Sequence, residues 1–511
     1  MHLKVTESEL NSRLNSLFEY FITPCFIPPE KPLPLQNFLT TRGSETKTIH
    51  DLRPILDGRI YIPDSSRLDY REDYYHVDFS LSNLSIQRLF LKNLALLINA
   101  LAGKNGVSSI QWSLSYPSNF SQKEKTIYCR FWQDITIELQ TSTGITQLSP
   151  ELDNTNFFRS KSLAFAQYFV DKEEMYLVSC TCINIEDSTS DISVWYENKL
   201  VHQCSVQLAE RHLFTHFLEL NHNFLTNRFD FKLSNWQELK SGEFNAKLDL
   251  WVRFESDNWL RDKGYLIEEE SDFQGLLRLV AIGMAGLYYY IGTILRTLYK
   301  EEKYPPNEIT PVYMGGNGSR LLNWLSSGGK FDRHAEINKL FSHMLSKGSG
   351  FENTKEITYL SKLPKDDVAC GLVLNNTKLT GLDSQTKDPL IVGENCRVNG
   401  VLVNWENRLD IEGDINSFTI DELVELPIFL DDFNQAIKDL DLEGITPMEQ
   451  FKPGQGLDDR YRDKLWKDTQ RELKANLLKI KGDAYDVQIE PPFILGLKAL
   501  LRVLGKEWAG R

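Results

Sequence analysis

The chain has too few basic residues for a nucleic-acid binder. Its 57 Lys and Arg stand against 71 Asp and Glu, a net charge of −14, whereas neutralising phosphates takes a cationic excess. It is also poor in cysteine. Cys25, Cys129, Cys180, Cys182, Cys204, Cys370 and Cys396 are scattered and form no C-x-x-C pair, which argues against zinc or a disulfide framework and predicts reduced thiols in a cytoplasmic protein. No GxxxxGK[ST] phosphate loop occurs, and no Ser-His-Asp, Cys-His or metalloprotease pattern; no catalytic residue is nominated. The opening MHLKVTESELNSRL lacks the apolar core of a signal peptide. One long uncharged run exists, Leu279–Leu295, bracketed by Arg278 and Arg296 and carrying Gly283, Gly286 and Gly292. It falls short of the ~20 residues that cross a bilayer, so no membrane span is expected and a buried helix packed through its glycines is.

What is present is ordinary globular material. Hydrophobic residues make up 41% and charged residues 25%, and the length suffices for two or three cores. Thr6 and Glu9 form a capping box ahead of Leu10, Leu14, Leu17, Phe18 and Phe21 at helical spacing. Pro24, Pro28, Pro29, Pro32 and Pro34 follow as a linker, and Asp57-Gly58 reads as a turn into a strand at Ile60–Ile62. A helix over Leu84–Leu101 precedes a strand alternating through Ile110, Trp112 and Leu114. Strands are predicted over Met175–Ile185 and Ile192–Trp195, and another over Pro311–Met314. Residues 406–443 are acidic, with Arg408 and Lys438 their only basic residues, and helices close the chain around Leu465–Ile480 and Phe493–Leu504. The alternation of strand and helix is that of an α/β protein.

The sharpest motif is the strand–turn–helix at Val312–Leu322, whose turn is Gly315, Gly316, Asn317, Gly318, Ser319 and Arg320. Glycines let a backbone approach a ligand, although such a turn alone also suits a purely structural role. Leu321 stands where a dinucleotide fingerprint needs glycine. VYMGGNGSRLL resembles the adenosine motif of the actin, heat-shock-chaperone and sugar-kinase ATPase superfamily. Pro364–Leu372 resembles the helix that ends the second lobe in its chaperone members, and Ile110–Phe120 the strand and loop before the first interdomain helix. Ser160–Tyr168 looks like that helix, Asn184–Val194 occupies the place of the second phosphate motif, and helix 275–295 that of the second interdomain helix. The order holds over Leu84–Leu372. The resemblance implies a two-lobed, ribonuclease-H-like α/β fold around an ATP and magnesium cleft. It assigns Gly315–Arg320 to adenosine, Ser188, Thr189 and Ser190 to phosphate, and Asp191 to the metal. It further implies an amino-terminal segment 1–80, a partial first lobe 81–175, a second lobe 176–385 with an insertion around 225–270, and a helical carboxy-terminal extension 386–511.

The departures weigh against hydrolysis. No Asp-Gly-Thr phosphate hairpin precedes Leu84, so the chain is expected to start late or to receive that hairpin from a partner. The open sheet edge would then invite a protein partner or self-association. Asn184 replaces the leading aspartate of the second phosphate motif, and Glu186, Asp187 and Ser188 replace its glycines. Lys161 stands where chaperone relatives carry a water-organising glutamate, and a lysine can neither orient nor deprotonate that water. Lys161 is expected to pair with Glu186 or Asp187, the alternative being unrelated surface changes. The sequence therefore reads as a pseudo-ATPase scaffold with weak or absent nucleotide binding, or else as an active ATPase completed from outside; a substrate kinase lacks its aspartate. His212 and His216 share a helical face without a third metal ligand, and Lys498, Arg502 and Lys506 form a basic stripe behind an apolar one.

Overall fold

The structure is a computed structural model. It describes residues 38–41, 56–60, 74–76, 84–118, 120–186, 189–221, 271–352, 358–364, 366–374, 379, 390–393, 395–404, 408–409, 418–440, 442, 444, 445, 451, 452, 456, 457, 459–480 and 489–509. The expected first helix and proline linker, the insertion around 225–270, and Asp187 and Ser188 lie outside the described residues. Two compact units form, one from Met1–Leu114, Gln122–Phe158 and Ser234–Phe254, the other from Ser115–Ser121, Arg159–Leu233 and Glu255–Arg511. The four-segment division expected from the sequence cuts across them. Residues 81–175 are shared by both units, and 386–511 belong wholly to the second.

In the first unit β1 (Phe38–Thr41), β2 (Leu56–Ile60) and β3 (Tyr74–His76) make an antiparallel sheet in the order β2-β1-β3. Asp57-Gly58 lies inside β2 rather than turning into a strand. The register slips between Leu39↔Ile60 and Thr41↔Leu56, so β2 absorbs these residues as an irregularity. Next come α1 (Leu84–Lys104), β4 (Ser109–Gln111), β5 (Leu114–Tyr116), α2 (Gln122–Thr143), β6 (Thr146–Leu148) and β7 (Phe158–Ser160). β4 and β6 pair in parallel with α2 as their crossover, and the chain passes between the units on β5 and β7. The single strand expected through Ile110–Leu114 is thus two. It breaks at Trp112-Ser113, where the buried Trp112 indole lies 5.5 Å from Trp132 and donates to Gln147 Oε1 at 2.7 Å.

The second unit opens with α3 (Lys161–Asp171), capped by Ser160, whose hydroxyl accepts from the Leu163 N–H. Residues Ser162–Val170 are all buried, so α3 is enclosed on every face. β8 (Ser179–Ile185), β9 (Ser190–Tyr196) and β10 (Lys199–Val206) form an antiparallel meander. After α4 (Glu210–Leu220) and α5 (Ser271–Lys300), β11 (Val312–Gly315) adds in parallel to β8. A turn of 3-10 helix at Asn317–Arg320, α6 (Leu321–Leu325) and α7 (Ile337–Ser349) lead to β12 (Thr358–Leu360), parallel to β11. The five-stranded order is β10-β9-β8-β11-β12, followed by α8 (Asp367–Leu372).

α5 is, among the described residues, the helix long and apolar enough to cross a membrane, and it is core: 94% of its apolar window is buried in the protein. Even its bracketing arginines are accounted for inside. Arg278 sits over the Trp508 ring and Arg296 pairs with Glu425 at 3.4 Å. The expected glycine packing is present where α5 crosses α7. A Cβ on Gly292 would stand 2.4 Å from the Leu345 carbonyl, and one on Gly348 2.0 Å from that of Tyr289, so the backbones touch.

The last helices, α9 (Glu425–Leu440), α10 (Asp459–Leu477) and α11 (Pro492–Ala509), are not an appendage. Phe493 of α11 packs on Tyr289 and Phe429 at 5.2 and 5.6 Å, and Leu497, Leu500, Leu501 and Leu504 are buried. The basic stripe on its back is ion-paired: Lys498 to Glu490, and Arg502 and Lys506 to Glu472.

Candidate cleft at the carboxyl ends of the parallel strands

β8, β11 and β12 run parallel, and their carboxyl ends open on a cleft of 240 Å³ lined by Asn184, Glu186, Gly316, Asn317, Pro364, Asp367 and Val368. Crevices at this end of an open α/β sheet are the usual ligand sites. Every polar side chain in the lining is a carboxylate or an amide.

The floor is the β8–β9 turn. Glu186 closes it by donating its N–H to the Thr189 carbonyl at 2.9 Å, and its carboxylate takes the Lys161 ammonium at 2.5 Å and the Asn184 amide at 3.3 Å. The expected ion pair therefore forms, with Glu186 as the partner. Asp191 lies buried beside it, its Oδ1 accepting from the Ser118 N–H at 3.2 Å. Burial raises the Asp191 carboxyl above the ordinary aspartate range; Lys161 opposes that rise and Glu186 adds to it.

The opposite wall is the glycine turn. Gly316 sits at φ +78°, and a Cβ there would meet the Ile185 carbonyl at 2.2 Å and Asn184 Oδ1 at 2.6 Å. This position requires glycine on both counts. Gly315 is closed against Asp367 and Phe165, and Gly318 against Ile185. The close approach of neighbouring parts of this chain is by itself a reason for glycine at these positions.

Asp367 ties the walls together. Its Oδ2 accepts from the Gly316 N–H at 3.1 Å, while Oδ1 accepts from the Val368 N–H at 2.8 Å. Burial pushes its carboxyl up to about 7; the Gly316 and Val368 amides and the Ser361 hydroxyl hold it down, and Glu186 raises it further. Behind it, the buried Arg159 donates to the carbonyls of Gly371, Leu372 and Leu374 at 2.9, 2.8 and 3.2 Å, capping the far end of α8.

Of the residues nominated from sequence, Gly316 and Asn317 line the cleft, Gly315 lies directly behind, and Asp191 is buried next to the ion pair. Ser319 is buried and donates to the Gly316 carbonyl at 2.7 Å, whereas Arg320 is exposed and stands outside the lining of this cleft. Ser190 faces away, fully buried, its hydroxyl donating to the Leu208 carbonyl at 2.5 Å. Thr189 is half-buried in the turn and Ser188 lies outside the described residues. Asp367 falls within the Pro364–Leu372 motif read from the sequence but was not nominated for the site, although an aspartate opening a short helix is a recognisable signal. His216 pairs with Glu219 on its own helix, and among the described residues no group of metal-ligating side chains assembles.

No family model matches the chain, and no curated protein matches it. Among solved structures it is similar to the ethanolamine utilization protein EutJ from Carboxydothermus hydrogenoformans, at 13% identity and a TM-score of 0.31, over 72% of this chain and 98% of that one. Bacillus thuringiensis ParM with ATP gives 13% and 0.29, over 59% and 76% of the two chains. MreB5 of Spiroplasma citri bound to ADP gives 13% and 0.21, over 33% and 44%. The strand order and the site define a mixed α/β protein. Its described cleft, at the carboxyl ends of three parallel strands, is small and acceptor-rich.

Proposed function

We propose that the chain is a divergent member of the actin/heat-shock-chaperone/sugar-kinase superfamily that no longer hydrolyses ATP and serves as a cytoplasmic protein-interaction module. The observation that carries this is the Lys161–Glu186 pair on the β8–β9 turn. A bare carboxylate ~4 Å from a phosphate charge costs about 4 kcal/mol at an effective dielectric of 20, and pairing with Lys161 leaves Glu186 only part of that penalty. Lys161 is already committed to Glu186 and offers a phosphate little compensation. The 240 Å³ cleft also falls below the ~300–1,000 Å³ of small-molecule sites. A sheet built from an antiparallel meander and two added parallel strands supports the superfamily reading; the fold itself hosts many roles, so the module role rests on the cleft chemistry.

Titration calorimetry with ATP, with and without magnesium, tests the reading. The expected result is no binding heat at millimolar nucleotide and no phosphate release. Binding that magnesium strengthens would overturn it in favour of an ATPase, with Asp191 at the metal and the phosphate hairpin supplied by another chain.

A further inference from the structure

Asp367 is 2% exposed, yet among the described residues no Lys, Arg or His is recorded as its partner. Its acceptors hold two backbone amides, that of the glycine turn and that of its own helix. The charged and titratable groups bearing on it can be named element by element. From the end of β8 comes Glu186, a like charge across the same cleft. From α3 comes Tyr168, whose hydroxyl donates to Glu173, while Lys161 of the same helix is engaged with Glu186. The glycine turn contributes amides only, and the Ser361 segment a hydroxyl.

From this geometry we propose that Asp367 is a pH-sensitive strut: neutral, it clamps the glycine turn to α8, and ionised, it loosens the turn because its charge is buried out of water, with Glu186 across the cleft adding a smaller like charge. The carboxylic acid keeps an acceptor oxygen for the Gly316 N–H, so the neutral form preserves the observed bond. Loss of the proton sets a second negative charge opposite Glu186 in a site with little water to screen it. The group's rise to about 7 places the change near neutrality. The strut concerns the same cleft but requires nothing about nucleotide.

Hydrogen exchange of the full-length protein, followed by mass spectrometry between pH 5.5 and 8.5 and corrected for intrinsic rates, reads the strut directly. Peptides over the turn at 312–325 are expected to lose protection by roughly tenfold across neutrality, while the α5–α7 crossing stays unchanged. Asp367→Asn, which stays neutral and can still accept from Gly316, should hold the turn protected at every pH. Should that variant fail to fold, Glu186→Gln serves: it should move the transition to lower pH, because removing the like charge lets Asp367 ionise more readily. A turn whose protection is flat with pH, or a midpoint unmoved by Glu186→Gln, overturns the proposal. Nucleotide binding in the calorimetric test leaves this readout intact, so failures of the two proposals are distinguishable.

Discussion

The turns that follow β8 and β11 lie side by side at the same end of one sheet, Asn184 in register with Gly315, yet they solve the same crowding differently. The β11 turn carries Gly315, Gly316 and Gly318, each closed against this chain's own atoms: Ile185, Asn184, Phe165 and Asp367. The β8 turn carries Glu186, and its charge is met by Lys161 of α3. The fold by itself therefore supplies a steric reason for glycine at these positions.

The contrast breaks most visibly at Gly316. Gly316→Ala would force a side chain into a left-handed backbone at ~1–2 kcal/mol and into the Ile185 carbonyl at a further ~1–3 kcal/mol. The expected loss is about 2–5 kcal/mol in urea unfolding. A stability change within experimental error would show that the turn is slack and that its glycines await a ligand.

Asp367 gives the next largest effect, as a slope. Its folded-state pKa is raised to about 7, against ~3.9 for a free aspartate, so the unfolded chain ionises first. This group's contribution is therefore greatest below about pH 4. It declines as pH rises from ~4 to 7 and is level above that, with a maximal slope near 1.4 kcal/mol per pH unit. Asp367→Asn should remove that slope from a stability–pH series, and an unchanged slope would place the burden on other carboxyls.

The charged turn is tested by Lys161→Ala, which leaves Glu186 and the buried Asp191 without their cation. A charge-assisted bond contributes ~1.5–3 kcal/mol, and the partial exposure of Glu186 lowers that. We expect a loss of about 1–2 kcal/mol, much of it recovered by Glu186→Gln in the same chain. A cycle without coupling would mean that the pair is incidental.

How much of this was legible beforehand depended on range. The Lys161–Glu186 pair could be anticipated because charge changed sign at two motif positions, and α5 because its arginines and glycines marked a buried helix. Asp57-Gly58 misled because turn chemistry is local while the strand that enclosed it was recruited by β1. The strand through Trp112 split because an indole sought Trp132 and Gln147, 20 and 35 residues on. Asp367 was legible only as part of the Pro364–Leu372 motif, because its tie to the site lies in Gly316, 51 residues away. The carboxy-terminal helices read as an extension because sequence order does not reveal that Phe493 lands on Tyr289.

Ser190 offers the smallest effect and the finest discrimination between the turns. A hydroxyl at this point of the β8–β9 hairpin is what a phosphate site would use, and motif position alone nominates it. In a strand, however, neighbours alternate in direction: Asp191 is drawn toward Ser118 and Lys161, so Ser190 points the other way. There its hydroxyl satisfies the Leu208 carbonyl in a fully buried setting. Ser190→Ala should cost about 1 kcal/mol in urea unfolding, the usual worth of one buried neutral hydrogen bond, and should leave any nucleotide heat as it was. If stability were untouched while a magnesium-dependent nucleotide heat vanished, the hydroxyl would belong to a ligand. The charged turn would then be a phosphate site with an unusual cation, and the difference between the two turns would be one of degree.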